Sequence, residues 1–200
     1  MRSHPVHAAT LTCHPETPAA AVRAVSASVV RLPGTALAIG YAIEGDIQRL
    51  RVPAPAAPAI ADRLWEHTCC EVFIARRGLP AYHELNFSPS GEWAIYAFER
   101  YRERVSLAKR PDAERLDPRI SVRSSAGVLE LGVRIRVDHV SPAYVDADLA
   151  LALSAVVEER DGAFSYWALN HPPGRPDFHH ADGYALVLAG SRPSSMRPPA

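Results

Sequence analysis

Trp65, His67, Glu71, Glu84 and Asn86 lie within one short stretch of the chain. Their chemistry is complementary. Carboxylates and amides orient hydroxyl groups, an imidazole donates or accepts, and an indole offers a flat apolar face. Gathered on one surface they would suit a small ligand rich in hydroxyls. Glu71 and Glu84 could also form an acid–base pair of the kind that hydrolyses glycosidic bonds. A second group follows much later, in His171-Pro172-Pro173-Gly174-Arg175-Pro176-Asp177-Phe178-His179-His180. Neutral imidazole with carboxylate suits zinc or iron, so His171, Asp177 and His179 are candidates to hold a ligand or a divalent metal. The same loop reads equally as a structural clamp whose imidazoles bond backbone carbonyls. Adjacent His179 and His180 point apart in an extended chain. The sequence has no His-Glu-x-x-His pair, no Cys-x-x-Cys, no Gly-x-Ser-x-Gly elbow and no glycine-rich phosphate loop.

The elements around the first group read as strands. Leu64 to Ile74 and Tyr82 to Ser88 are dense in aromatic and β-branched residues, with a short loop containing Gly78 between them. Ser88-Pro89-Ser90-Gly91 then turns the chain into a third strand, Glu92 to Phe98. Strand period 2 assigns Trp65, His67, Cys69, Glu71 and Phe73 to one face, with Cys70, Val72 and Ile74 opposite. Tyr82, Glu84, Asn86 and Ser88 share a face, with Leu85 and Phe87 opposite. Adjacent strands would therefore bring Trp65, Glu71, Glu84 and Asn86 together on one concave surface. The plainer alternative is a wet sheet face with Glu71 and Glu84 in solvent.

The rest of the chain reads in the same way. Strand patterns occur at 22–31, 36–46, 120–123, 128–137, 150–158, 163–169 and 184–189, and Asp161-Gly162 is a hairpin turn. The prolines Pro53, Pro55 and Pro58 mark an extended connector. Glu99 to Arg119 is a charged loop, in which Arg100, Arg102 and Arg104 are possible partners of an acidic ligand group. About ten closely spaced strands without a long helix predict an all-β fold, an antiparallel, jelly-roll-like β-sandwich. The expected organisation is one domain over residues 9–190, with flexible tails at 1–8 and 191–200.

The run from Trp65 to Gly91, with Trp93 and Tyr96, resembles bacterial DOMON-like domain proteins. So do Leu153 to Glu159 with Phe164 to Leu169, and His171 to His180; the resemblance covers roughly residues 9 to 190. It implies a β-sandwich related to carbohydrate-binding module family nine and to the haem-binding DOMON domains. It implies a ligand-binding module rather than an enzyme. Trp65 and Glu71, six apart, resemble the tryptophan and glutamate spacing of the carbohydrate-binding relatives. Trp167, near Asn170, resembles their second stacking tryptophan. The haem-binding relatives use methionine with histidine or lysine as axial ligands. Here the methionines are Met1 and Met196, in the expected tails, and Lys109 is the single lysine. No cofactor is therefore expected, and a bis-histidine haem or a divalent metal is the alternative.

Composition narrows the partners. Twenty-two basic and twenty-two acidic residues cancel, which leaves no field to attract nucleic acid or an anionic membrane. No segment approaches the ~20 apolar residues that span a bilayer, and the first residues do not form a signal-peptide core. Cys13, Cys69 and Cys70 are an odd number, read as reduced thiols of a cytoplasmic protein. The expected function is a non-catalytic ligand-binding domain for a saccharide or glycoconjugate. The alternatives are a haem- or metal-binding domain, or a carboxylate-based carbohydrate-active enzyme. The oligomeric state stays open.

Overall fold

The computed structural model describes residues 5–105 and 116–190. Twelve strands lie among these residues. They are β1 (His7–Cys13), β2 (Val22–Arg31), β3 (Ala36–Gly45), β4 (Cys69–Arg76), β5 (Tyr82–Phe87) and β6 (Trp93–Arg100), then β7 (Glu103–Arg104), β8 (Arg119–Ser124), β9 (Val128–Arg136), β10 (Leu149–Glu158), β11 (Phe164–Ala168) and β12 (Leu186–Leu188). A four-residue helical turn, Val137–Val140, is the only α-helix among them. The strand order is β7-β6-β5-β4-β10-β11-β1-β2-β3-β9-β8, with β12 paired to β10. Every strand pair is antiparallel.

β1 turns this path into two layers. His7 to Leu11 pair with β2, whereas Thr12 and Cys13 pair with β11. Two sheets thus share one strand at a corner, and the path folds over to bury one face of each. Leu37, Ile39, Ile43, Leu129, Val133 and Ile135 of one sheet join Val72, Ile74, Leu85, Phe87, Leu151 and Leu153 of the other in a single core. These residues sit at alternate strand positions, as burial of one sheet face requires. The all-β, jelly-roll-like sandwich expected from the strand spacing is the architecture observed.

Three details depart from the sequence reading. Residues 7–13 form a strand rather than a loose end. The strand expected from Leu64 begins at Cys69, because Leu64–Glu66 forms a 3₁₀ turn. Glu103–Arg104 adds a short edge strand to β6, so part of the charged segment is ordered on the sheet. Residues 106–115 of that segment, residues 1–4 of the tail expected at 1–8, and the tail expected at 191–200 lie outside the described residues. The turn between β5 and β6 is as expected: Gly91 has φ +95° and its amide donates to the Ser88 carbonyl at 3.0 Å. That positive φ suits glycine, and the turn fixes which side chains of β6 stand beside those of β5.

Candidate ligand-binding site

The second sheet has side chains worth placing on its outer face. Register sets Glu71 of β4 opposite Asn86 of β5 and opposite Ser154 of β10. The next row is Ala152, Phe73, Glu84 and Tyr96, and the row beyond it is Ala150, Ala75, Tyr82 and Phe98. Glu71 and Glu84 are therefore diagonal neighbours on one face, a relation that puts them roughly 7–8 Å apart. Small residues on β10 lower the floor, while aromatic residues on β4 to β6 raise the walls. The result is a cavity of about 390 Å³ lined by Trp65, Glu71, Phe73, Glu84, Tyr96, Phe98, Tyr166 and Phe178, with Arg102, Arg104 and His179 at its edge.

Polar groups on the floor are buried and only partly satisfied. Asn86 donates from Nδ2 to Glu84 Oε1 at 2.8 Å. Its own Oδ1 has no partner, and neither do Glu71 Oε1 and Ser154 Oγ. All three residues are at most 3 % exposed, and register makes them one row across three strands. Burial, reinforced by the charge of Glu84, raises the Glu71 carboxyl well above the usual carboxylate range. Burial raises Glu84 as well, but the Asn86 amide and the guanidinium groups of Arg104 and Arg102 oppose it. The groups that favour an anion thus face Glu84, and Glu71 carries the proton of the pair.

The 170–180 loop closes one end. Asp177 accepts from Arg102 Nη2 at 2.7 Å, from the Tyr101 hydroxyl and from the His179 amide at 3.1 Å. It thereby ties the loop to the β6–β7 turn, where Arg102 adopts φ +56°. The Arg102 amide donates to the Tyr82 hydroxyl at 3.1 Å, and that hydroxyl lies 2.8 Å from His179 Nδ1. On its other side, His179 Nε2 lies 3.6 Å from Glu84 Oε2. Burial, with Arg102 nearby and Asp177 opposing, lowers the His179 pKa to about 4. The imidazole is neutral at neutral pH. On the opposite wall, the guanidinium of Arg104 sits 4.0 Å above the Tyr96 ring, and Trp65 packs edge-on against Tyr96 at 5.4 Å.

Solved structures share this architecture. A candidate carbohydrate-binding protein from Bacteroides uniformis superposes with a TM-score of 0.65 at 16% identity, over 90% of this chain and 84% of that one. A family 9 carbohydrate-binding module from Caldicellulosiruptor kristjanssonii, solved with cellotriose, superposes with a TM-score of 0.51 at 8% identity, over 90% of this chain and 83% of that one. At these identities the likeness is one of fold. No protein-family model matches the chain, and no curated protein matches it in sequence.

The structure brings Trp65, Glu71, Glu84 and His179 to one cavity, with Asn86 beneath it and Asp177 behind its closing loop. It does not bring His67, Trp167 or His171 there. His67 follows the 3₁₀ turn rather than lying within a strand, and its Nδ1 meets Glu158 Oε2 at 2.8 Å, beside the Arg51–Glu158 ion pair. Trp167 pairs with inward-facing Ala155, lies in the core at 5 % exposure, and donates from Nε1 to Ser165 Oγ. His171 Nε2 meets the Thr12 carbonyl at 2.9 Å, so it clamps the loop to β1. Among the described residues no group of three or more His, Cys, Asp or Glu side chains is placed to hold a metal.

Sequence reasoning placed Phe73 on this face but passed over Tyr96, Phe98, Tyr166 and Phe178 as parts of this surface. Tyr96 and Phe98 were reachable from the tight Ser88–Gly91 turn, whose register puts them beside Glu84 and Tyr82. Tyr166 and Phe178 depend on which strands become neighbours, and no local pattern encodes that.

Proposed function

We propose that the chain is a non-catalytic saccharide-binding domain whose sugar sits in the cavity over β4, β5 and β6. The observation that carries this reading is a cavity that sets the carboxyls of Glu71 and Glu84 among aromatic walls, with Glu71 Oε1 buried and lacking a partner. An unmet buried polar atom costs about 1–3 kcal/mol, and ligand hydroxyls would relieve it. Ring C–H faces would meet Trp65, Tyr96 or Tyr166, where aromatic contact contributes about 0.5–1.5 kcal/mol beyond burial. The fold-level neighbours, one a candidate carbohydrate-binding protein and one holding cellotriose, support the same reading. Glu71 and Glu84, roughly 7–8 Å apart as diagonal neighbours, stand at the spacing of an inverting glycosidase pair, so the fate of a bound oligosaccharide separates binding from hydrolysis.

Calorimetric titration with a panel of monosaccharides and cello-oligosaccharides tests the proposal. Saturable binding is expected, with Trp65→Ala weakening it on the order of tenfold. The expected absorption spectrum of the isolated protein has no Soret band. No heat from any sugar, oligosaccharides that shorten with time, or one haem per chain would each overturn the reading.

A further inference from the structure

A second cavity, of about 560 Å³, opens on the same sheet face beside the first. Its walls are Ala75, Leu79, Pro80, Tyr82, Tyr101 and Tyr184, and His179 lines both cavities. The dividing ridge is aromatic. Tyr82 faces the second cavity, Phe98 faces the first, and their rings stack at 4.7 Å with 8° between planes. The chemistry changes across this ridge, from the carboxyls of Glu71 and Glu84 to alanine, leucine, proline and tyrosine, with the exposed Arg76 as the one guanidinium on that side.

The polar atoms around the second cavity are almost all in use. The Tyr82 hydroxyl serves His179 and Arg102, the Tyr101 hydroxyl serves Asp177, and His180 Nδ1 accepts from the Asp182 amide. Two groups stand apart: the exposed guanidinium of Arg76, which also lines this cavity, and the Tyr184 hydroxyl, which is buried without a partner. A further sugar ring would set several hydroxyls against alanine, leucine, proline and tyrosine side chains, at a cost for each one left unmet. An aromatic ring fits instead: tyrosine rings line the cavity and few or no hydroxyls are stranded.

We infer that the ligand is an aryl glycoside, with its sugar over Glu71 and Glu84 and its aromatic aglycone in the cavity of Tyr82, Tyr101 and Tyr184. The inference rests on the saccharide-binding reading and adds the class of the attached group. It gives Tyr82 and His179 a joint role at the glycosidic junction, where the two cavities meet.

The test compares, by calorimetry on the full chain, methyl and p-nitrophenyl glycosides of each sugar that binds, in both anomers, with p-nitrophenol alone as a control. For one anomer the aryl glycoside is expected to bind on the order of tenfold tighter or more, from the apolar area it buries. Ala181→Trp, an exposed position on the cavity wall, should remove that advantage and leave methyl glycoside binding unchanged. Leu79→Gln, at a residue 51 % exposed, should reduce it without disturbing the fold. Equal affinity for methyl and aryl glycosides, or an aryl advantage that survives Ala181→Trp, overturns the aglycone pocket while leaving sugar binding in place. p-Nitrophenol binding as tightly as its glycoside overturns the linked ligand. No binding by any sugar or glycoside overturns the saccharide reading and this inference together.

Discussion

At the scale of single residues the floor of the cavity is a set of opposed titrations. Glu71 holds its proton because burial and the Glu84 charge both disfavour its anion. A carboxyl whose pKa in the fold lies above its ordinary value of 4.5 contributes its full stability below about pH 4.5. That contribution fades as pH rises towards the folded value, because the fold then binds a proton that the unfolded chain has released. His179 has the opposite sign. Its folded pKa of about 4 lies below the ordinary 6.5, so its contribution is full above about pH 6.5 and is lost as pH falls towards 4. Glu71→Gln keeps the shape and removes the ionisable group. The melting temperature of this variant, relative to wild type, should therefore climb as pH rises above about 4.5, while the loss on acidification survives. Thermal melts across that range measure it. Parallel curves for the two proteins would mean that Glu71 is already ionised on the cavity floor.

At the scale of elements, strand parity was the most legible signal. It put Glu71 and Glu84 on one face because a period of 2 leaves no freedom once a strand is recognised. It failed at Trp65 and His67, where apolar density continues back from Cys69 although the backbone has already left the strand for a 3₁₀ turn. Trp65 reaches the cavity all the same, through that turn, and His67 does not. β1 was illegible because His7-Ala8-Ala9-Thr10-Leu11-Thr12-Cys13 is small and polar; its pairing with two neighbours, not its own propensity, makes it a strand. The loop holding Asp177 was legible as rigid, from Pro172, Pro173 and Pro176, and the structure supplies what it is tied to. Asp177→Ala removes the acceptor for Tyr101, Arg102 and the His179 amide. The expected result is faster amide exchange across residues 171–180, weaker sugar binding and a loss of stability of about 1–3 kcal/mol. Exchange that accelerates equally in β4 and β5 would show that Asp177 supports the sheet rather than the loop.

At the scale of the whole molecule, the site depends on two sheets being held as one unit. The outer face of the second sheet can carry partly unsatisfied polar groups because its inner face is packed against the first sheet in a continuous core. The strand shared by the two layers is β1, which changes partner between Leu11 and Thr12. Leu11 is 2 % exposed at that corner. Leu11→Ala should cost about 2–5 kcal/mol, the range for truncating a buried leucine. How the variant unfolds then distinguishes two views of the sandwich. The chain has three tryptophans, and Trp65, Trp93 and Trp167 all belong to the second sheet or the turn leading into it, so fluorescence follows that layer. Far-ultraviolet circular dichroism follows both layers. If the shared core couples the sheets, the two signals should give one coincident urea transition in wild type, and still one, at a lower midpoint, in Leu11→Ala. If instead β1 alone couples them, weakening the corner would separate the transitions, with the fluorescence midpoint departing from the circular dichroism midpoint. The size of the common core, with Leu37, Ile39 and Ile135 packed in the same cluster as Val72, Leu85 and Leu153, favours the coincident outcome.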